Sequence, residues 1–260
     1  MRYFLPRALS LFAVLLLSVM SSSGVFAQQG QDNTILSIER NKVDNTPISI
    51  LFTATTNWGD DQAQELFAKY LGVAGDVSMR QQYSTTNKTG VTAKRYYEYY
   101  KGIKLEYASY SLSCKSGRVS FMTGNYYHID GSTPSVASIS EHDAFVKAIA
   151  SVGADKYMWE FSAEEARLKA IYHNKDTSYL PKGQLTYIED YNSDKDDRKL
   201  HLAYAFDIYA RKPLSKQKVF VDAITGQILF SNSEIKHTAA SGASDYSGVV
   251  PFQSAHTLGT

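Results

Sequence analysis

No stretch of the chain leaves the fold less freedom than Lys199 to Phe230. There Leu200, Leu202, Tyr204, Phe206 and Ile208 alternate with His201, Ala203, Ala205, Asp207 and Tyr209. A period of two held this long argues for a strand that lays one face on a core. Pro213 bars Ala210 to Leu214 from a central strand, so a turn is expected there, with Lys218 to Asp222 returning as a second strand. Asp222 to Gly226 reads as a tight turn with its glycine where φ is positive, and Gln227 to Phe230 reads as a third strand.

The rest of the chain has to supply what covers such a sheet. Of the 260 residues, 43% are hydrophobic and 13% aromatic, enough apolar material for one or two ordinary cores. Pro47 to Thr53 reads as a short extended segment. Asp60 or Asp61 is placed to cap a helix with Ala63, Leu66, Phe67, Tyr70 and Leu71 on one face, stopped by Gly72. Val91 to Tyr100, Ile103 to Lys115 and Arg118 to Thr123 read as three strands, turning at Lys101-Gly102 and Ser116-Gly117, with Val119 and Phe121 inward. Asn125 to Ser138 reads as a linker. Ser138-Ile-Ser-Glu141 has the form of a capping box opening a second helix, with Phe145, Ala148, Ile149 and Val152 on one face and Gly153 as its stop. A short aromatic link at Lys156 to Glu160, a short helix at Ala163 to Tyr172 and a strand at Gln184 to Ile188 follow. The expected fold class is α+β: two small helix-on-antiparallel-sheet domains in tandem, at 28–130 and 131–236.

Arg2 and Arg7 precede a run from Ala8 to Met20 that is apolar apart from Ser10 and Ser18, and Val25-Phe26-Ala27 offers a cleavage site. Residues 1–27 therefore read as a secretory signal peptide. The run is short of the roughly 20 apolar residues a membrane span needs. A secreted, periplasmic or extracellular location is expected, with no membrane association after signal cleavage. Without Arg2 and Arg7 the 27 basic side chains fall to 25 against 26 acidic, which gives no footprint for a nucleic-acid partner. The single cysteine, Cys114, has no partner for an intramolecular disulfide and shares a strand face with Tyr110 and Leu112, as a buried structural thiol would.

Candidate chemistry is sparse. HExxH, which holds a catalytic zinc between two histidines one helical turn apart, does not occur among the six histidines, so no enzymatic activity is expected of this chain. Asp190, Asn192 and Asp194 imitate the start of a calcium loop, but Lys195 and His201 stand where a glycine and a bidentate glutamate belong, and a solvated loop is expected. The aromatic run Tyr96, Tyr97, Tyr99, Tyr100, Tyr107 and Tyr110 must turn half of its rings away from the core, either as an ordinary exposed sheet face or as a binding face.

The segments LAYAFDIYA, PLS and VFVDAITGQIL resemble the end of the PepSY domain in the pro-regions of secreted thermolysin-like zinc metalloproteases, as do KYMWE and PKGQLTYI. Arg95 to Tyr127 resembles the fungalysin/thermolysin propeptide (FTP) domain, with Arg95, Tyr100, Gly102, Glu106 and Gly117 fitting its pattern. Glu98, Lys104 and Tyr107 depart from it, standing where a Gln, a Pro and a Gly are usual. The resemblance implies a pro-region that serves an attached zinc metalloendopeptidase as folding chaperone and inhibitor until it is cut away. The partner would be that catalytic domain in cis, and the zinc would be held there, with no cofactor in this chain. Residues 237–260 would be the junction and the start of a truncated catalytic domain, processed around Ile235, Lys236, His237 and Thr238, with His237-Thr238 the favoured bond and the bond before Ile235 its rival. Tyr97, Tyr99, Asp207 and His237 are the candidate inhibitory contacts. The alternative is a stand-alone exported PepSY-type binding or protease-inhibitor module.

Overall fold

The computed structural model describes residues 33–129, 131–195, 198–234, 240–244 and 248–252, the last two segments by backbone alone. In chain order these form β1 (Ile35–Arg40), β2 (Pro47–Phe52), α1 (Ala63–Leu71), β3 (Val77–Thr86), β4 (Val91–Tyr100), β5 (Ile103–Lys115), β6 (Arg118–Asn125), α2 (Glu141–Val152), β7 (Lys156–Tyr157), a single 3-10 turn (Met158–Glu160), α3 (Ser162–Tyr172), β8 (Gln184–Glu189), β9 (Leu200–Lys212), β10 (Leu214–Asp222) and β11 (Ile228–Ser233). β12 (Ala240–Ser244) and β13 (Gly248–Phe252) pair as a separate antiparallel hairpin. The described residues thus make a mixed, strand-dominated fold: one 11-stranded sheet, mostly antiparallel, carrying three α-helices. The signal-peptide reading lies outside the described residues.

β5 makes the sheet continuous. Ser109 to Lys115 lie between β4 and β6, whereas Lys104 and Leu105 pair in parallel with Thr186 and Tyr187 of β8. Between the two regimes the ladder with β4 jumps from Tyr97–Ser109 to Tyr99–Lys104. Tyr107 sits in that bulge at φ +59°, a left-handed conformation that a bulky side chain adopts at a cost of roughly 1–2 kcal/mol. This is the position at which the FTP pattern carries glycine, so the departure falls where the backbone most favours one. The two halves expected as separate domains share a single sheet through this strand.

One face of the sheet carries three of the four cores among the described residues. α1 lays Leu66, Phe67 and Leu71 over Tyr96, Tyr110, Leu112 and Met122, and Cys114 is buried among them. α2 brings Ala144 and Ala148, both fully buried, against Phe206, Ile208, Val219 and Val221, and the small side chains let the helix approach closely. Tyr100, Leu105, Tyr127, Tyr187 and Leu202 fill the seam between these two clusters. Leu105 pairs with Tyr187 and Tyr187 with Leu202, so all three clusters lie on the same side of the sheet.

Several local expectations shift. α1 is preceded by Gln62 rather than capped by Asp60 or Asp61; Asp60 is drawn instead to Lys94 at 3.1 Å. The cap of α2 is Ser140, whose hydroxyl accepts the Asp143 N–H at 3.1 Å, so the helix is capped two residues beyond Ser138 and by a single side-chain bond to the backbone. The β9–β10 turn is tighter than Pro213 suggested: Arg211 already pairs with Leu214. A register break at Ser113–Cys114 puts Val119 and Met122 inward and leaves Phe121 only half-buried. β1 and β3 were unmarked in the sequence. Asn125 to Ser138 contains Tyr126 and Tyr127, each 2% exposed, and is more than a linker.

Candidate functional site

The opposite face of the sheet carries no helix from α1 or α2; a fourth, smaller core of Ile188, Ala203, Ala205, Phe220 and Leu229 lies on it, and around that core it displays charged and aromatic side chains. β4 contributes Arg95, Tyr97 and Tyr99, β5 Lys104 and Glu106, β9 Asp207 and Tyr209, and β10 Lys216 and Lys218. Their order across the face follows from register: Tyr99 opposes Lys104, and Asp207 opposes Lys218.

An ion triad ties the two halves of this face together. Lys218 Nζ donates to Glu106 Oε1 at 2.9 Å, and Lys104 Nζ donates to Oε2 at 3.3 Å. Burial alone would raise the Glu106 carboxyl, but the hydrogen bonds and charges of Lys218 and Lys104 outweigh it and hold the group below the usual carboxylate range. The triad continues into stacked rings. Lys104 Nζ lies 4.7 Å from the centre of the Tyr97 ring, and the Arg80 guanidinium lies 4.2 Å from that of Tyr99. At the other end Lys216 Nζ pairs with Glu234 at 2.6 Å, where the chain leaves β11.

Beyond Asp207 the face runs under α3. That helix has no buried residue, and Ile171 and Tyr172 are 61% and 66% exposed. Glu165 accepts the Tyr179 N–H at 2.7 Å, and Tyr179 meets Tyr209 edge-on at 5.5 Å, so the following loop forms the wall of a groove of about 570 Å³ over Asp207, Tyr209 and Lys216.

Tyr97, Tyr99 and Asp207 thus lie on one face, the first two half-buried beneath cations and Asp207 exposed. Ile235, Lys236, His237 and Thr238 lie outside the described residues. Among the described residues no cluster of three His, Cys, Asp or Glu side chains is arranged to hold a metal ion. The loop after β8, expected to be solvated, holds Arg198 in a nearly buried clamp. Its Nε donates to Asp44 Oδ2 at 2.6 Å, and one terminal nitrogen donates to Asn125 Oδ1 at 2.9 Å and the Tyr126 carbonyl at 2.7 Å. Its guanidinium also lies 4.3 Å from the centre of the Tyr127 ring. Glu106 and Lys218 were missed as well; the alternation of Lys104 and Glu106 on one strand was the available sign. His201 Nδ1 donates to Asp222 Oδ2 at 3.0 Å, and Asp222 Oδ1 accepts the Ile224 and Thr225 N–H groups, which fixes the turn into β11.

The geometry defines a class: a strand-dominated module with three cores on one face of its sheet and, on the other, a smaller core beside a charged and aromatic surface. No family model matches the chain, and no curated protein matches it. Among solved structures, the Bacillus megaterium YpeB C-terminal domain is similar at 13% identity and a TM-score of 0.34, over 73% of each chain. A Clostridium difficile 630 protein described as a lipoprotein is similar at 11% identity and a TM-score of 0.22, over 68% of this chain and 93% of that one. Likeness at this level carries no argument about fold or activity. Among the described residues no helix is long and apolar enough to cross a membrane.

Proposed function

We propose that the chain is an exported, non-catalytic protein-binding module, and that its partner is the catalytic domain of a thermolysin-like zinc metalloendopeptidase, for which it is the pro-region. The observation that carries the reading is the open face, which presents Tyr97 and Tyr99 from one half and Asp207 from the other in a single surface held by the Lys104–Glu106–Lys218 triad. The segments that resemble pro-region domains supply strands β4, β5, β9 and β10, whose side chains line this face. Aromatic rings and charges fixed in place before docking lose little conformational entropy on binding. A module that binds the folded enzyme and not its unfolded chain stabilises the fold by mass action, and covalent attachment keeps its effective concentration high until processing. Zinc belongs to the partner in this reading, and cleavage falls within residues 235–242.

The test is titration of the chain from Gln28 onward against a mature thermolysin-like enzyme, with activity and refolding yield both measured. The expected result is inhibition, weakened at least tenfold by Tyr97→Ser with Lys218→Glu. If the enzyme is unaffected in activity and refolding, the pro-region reading fails. Binding of a different exported protein through the same two residues would then establish the stand-alone module.

A further inference from the structure

Glu98 is fully buried on β4, beside the segment by which the chain leaves β6. Its Oε2 accepts the Tyr127 N–H at 3.0 Å, while its Oε1 has no hydrogen-bond partner among the described residues. A carboxylate with one bare oxygen in the interior is strongly disfavoured, and its neutral form is the one such a site tolerates.

What Glu98 holds is the hub of the joint between the two halves. Tyr127 gives its N–H to Glu98 in the first half and its hydroxyl to Glu189 of β8 in the second, and its ring lies under Arg198. Arg198 in turn draws on Asn125, on the Tyr126 carbonyl and on Asp44 before β2. The groups around Glu98 can be named element by element. Met79 opposes it from β3 and brings no charge. Tyr126 and Tyr127 come from the segment after β6, their hydroxyls pushed up by burial. His128 meets Tyr126 edge-on at 5.4 Å. Arg198 supplies the opposite charge, and Glu189 lies beyond the Tyr127 hydroxyl.

We infer that Glu98 is a proton-held latch: neutral, it keeps Tyr126 and Tyr127 seated on β4 and the Arg198 clamp closed, and once its proton passes to solvent the segment lifts and the joint opens. The electrostatics agree with the geometry. Burial pushes the carboxyl up to about 8 against the opposing pull of the Tyr127 N–H and the Arg198 charge. In an open joint the solvated carboxyl returns to its ordinary value of 4.5. Between these values the closed form binds one proton more than the open form. The closed joint is therefore most favoured below the ordinary value and loses that advantage as pH rises toward about 8, the open population growing about tenfold per pH unit. If the proposed partner grips both halves of the open face, its hold weakens in the same window, a consequence that rests on the reading above. The test below uses no partner, so the latch and the pro-region reading stand or fall separately.

Amide exchange of Tyr126 and Tyr127 is measured in the signal-free chain and in Glu98→Gln, each rate divided by the intrinsic rate at that pH. Wild-type protection at Tyr127 is expected to fall about tenfold per unit between about pH 5.5 and 7.5 while Glu98→Gln stays flat. Parallel profiles in the two chains, or a flat wild type, overturn the latch. If Glu98→Gln does not fold, the wild-type Glu98 carboxyl is titrated by carbon-13 NMR. A midpoint above about 6 supports the latch and one at or below it overturns the latch.

Discussion

Phe206→Ala and its neighbour Asp207→Ala form a matched pair, because one residue along β9 exchanges the covered face for the open one. Phe206 is 0% exposed, with the Phe145 ring of α2 at 5.7 Å and Tyr204 at 6.3 Å. Removing a fully buried phenyl ring forfeits its transfer free energy and leaves a cavity, together about 3–5 kcal/mol. For a unit of this size each kcal/mol lowers Tm by about 2–4 °C, so a fall of roughly 6–20 °C is expected. Asp207 is exposed, and its loss should stay within about 0.5 kcal/mol. A second substitution checks the packing itself. A Cβ at Gly183 would lie 2.8 Å from the Phe206 ring and from Glu141 Cγ, so Gly183→Ala should destabilise the wild type and cost less once Phe206 is alanine. Urea denaturation of the wild type, the three single variants and the Gly183→Ala/Phe206→Ala double, read by circular dichroism, gives each of these losses. A Phe206→Ala midpoint indistinguishable from wild type, or an Asp207→Ala loss of equal size, would refute the face assignment.

Arg198→Met keeps the stem and removes the bonds to Asp44, Asn125 and Tyr126, and should cost about 2–4 kcal/mol in urea denaturation; a loss below 1 kcal/mol would show that the clamp does not bear on stability. Ser140→Ala removes the hydroxyl that caps α2 and should cost about 1 kcal/mol, with Ser140→Asp restoring most of it. For Asp222, burial would raise the carboxyl, but the His201 bond and the Thr225 and Ile224 N–H groups outweigh it and hold the group below its ordinary value. A lowered folded value means stability that is present above the ordinary carboxylate range and lost as pH falls through the folded one. Asp222→Asn should therefore flatten the acid side of the stability profile below about pH 4, and an unchanged acid slope in denaturation across that range would contradict it.

Where the structure agrees with the sequence, the signal was local. The alternation in β9 needs only the order of its own side chains, because a period of two assigns faces wherever the strand goes. The bounds of β4 and β5 followed from their glycine turns in the same way, with Gly102 at φ +80° and Gly117 at φ +72°. Tyr97, Tyr99 and Asp207 could be placed on exposed faces by period alone, but nothing local could say that those faces are one surface. That was decided by the parallel pairing of β5 with β8 and by the Glu106–Lys218 bond, which joins residues 112 apart. The same holds for Arg198, whose charge in a polar loop reads as solvated until Asp44, 154 residues earlier, arrives beside it. Glu98 lies on a strand whose period is plain, yet its isolation depends on Tyr127 folding back over it. Side-chain periodicity records which way a residue points. What it points at is set by chain closure over long loops, and there the tertiary structure alone decides.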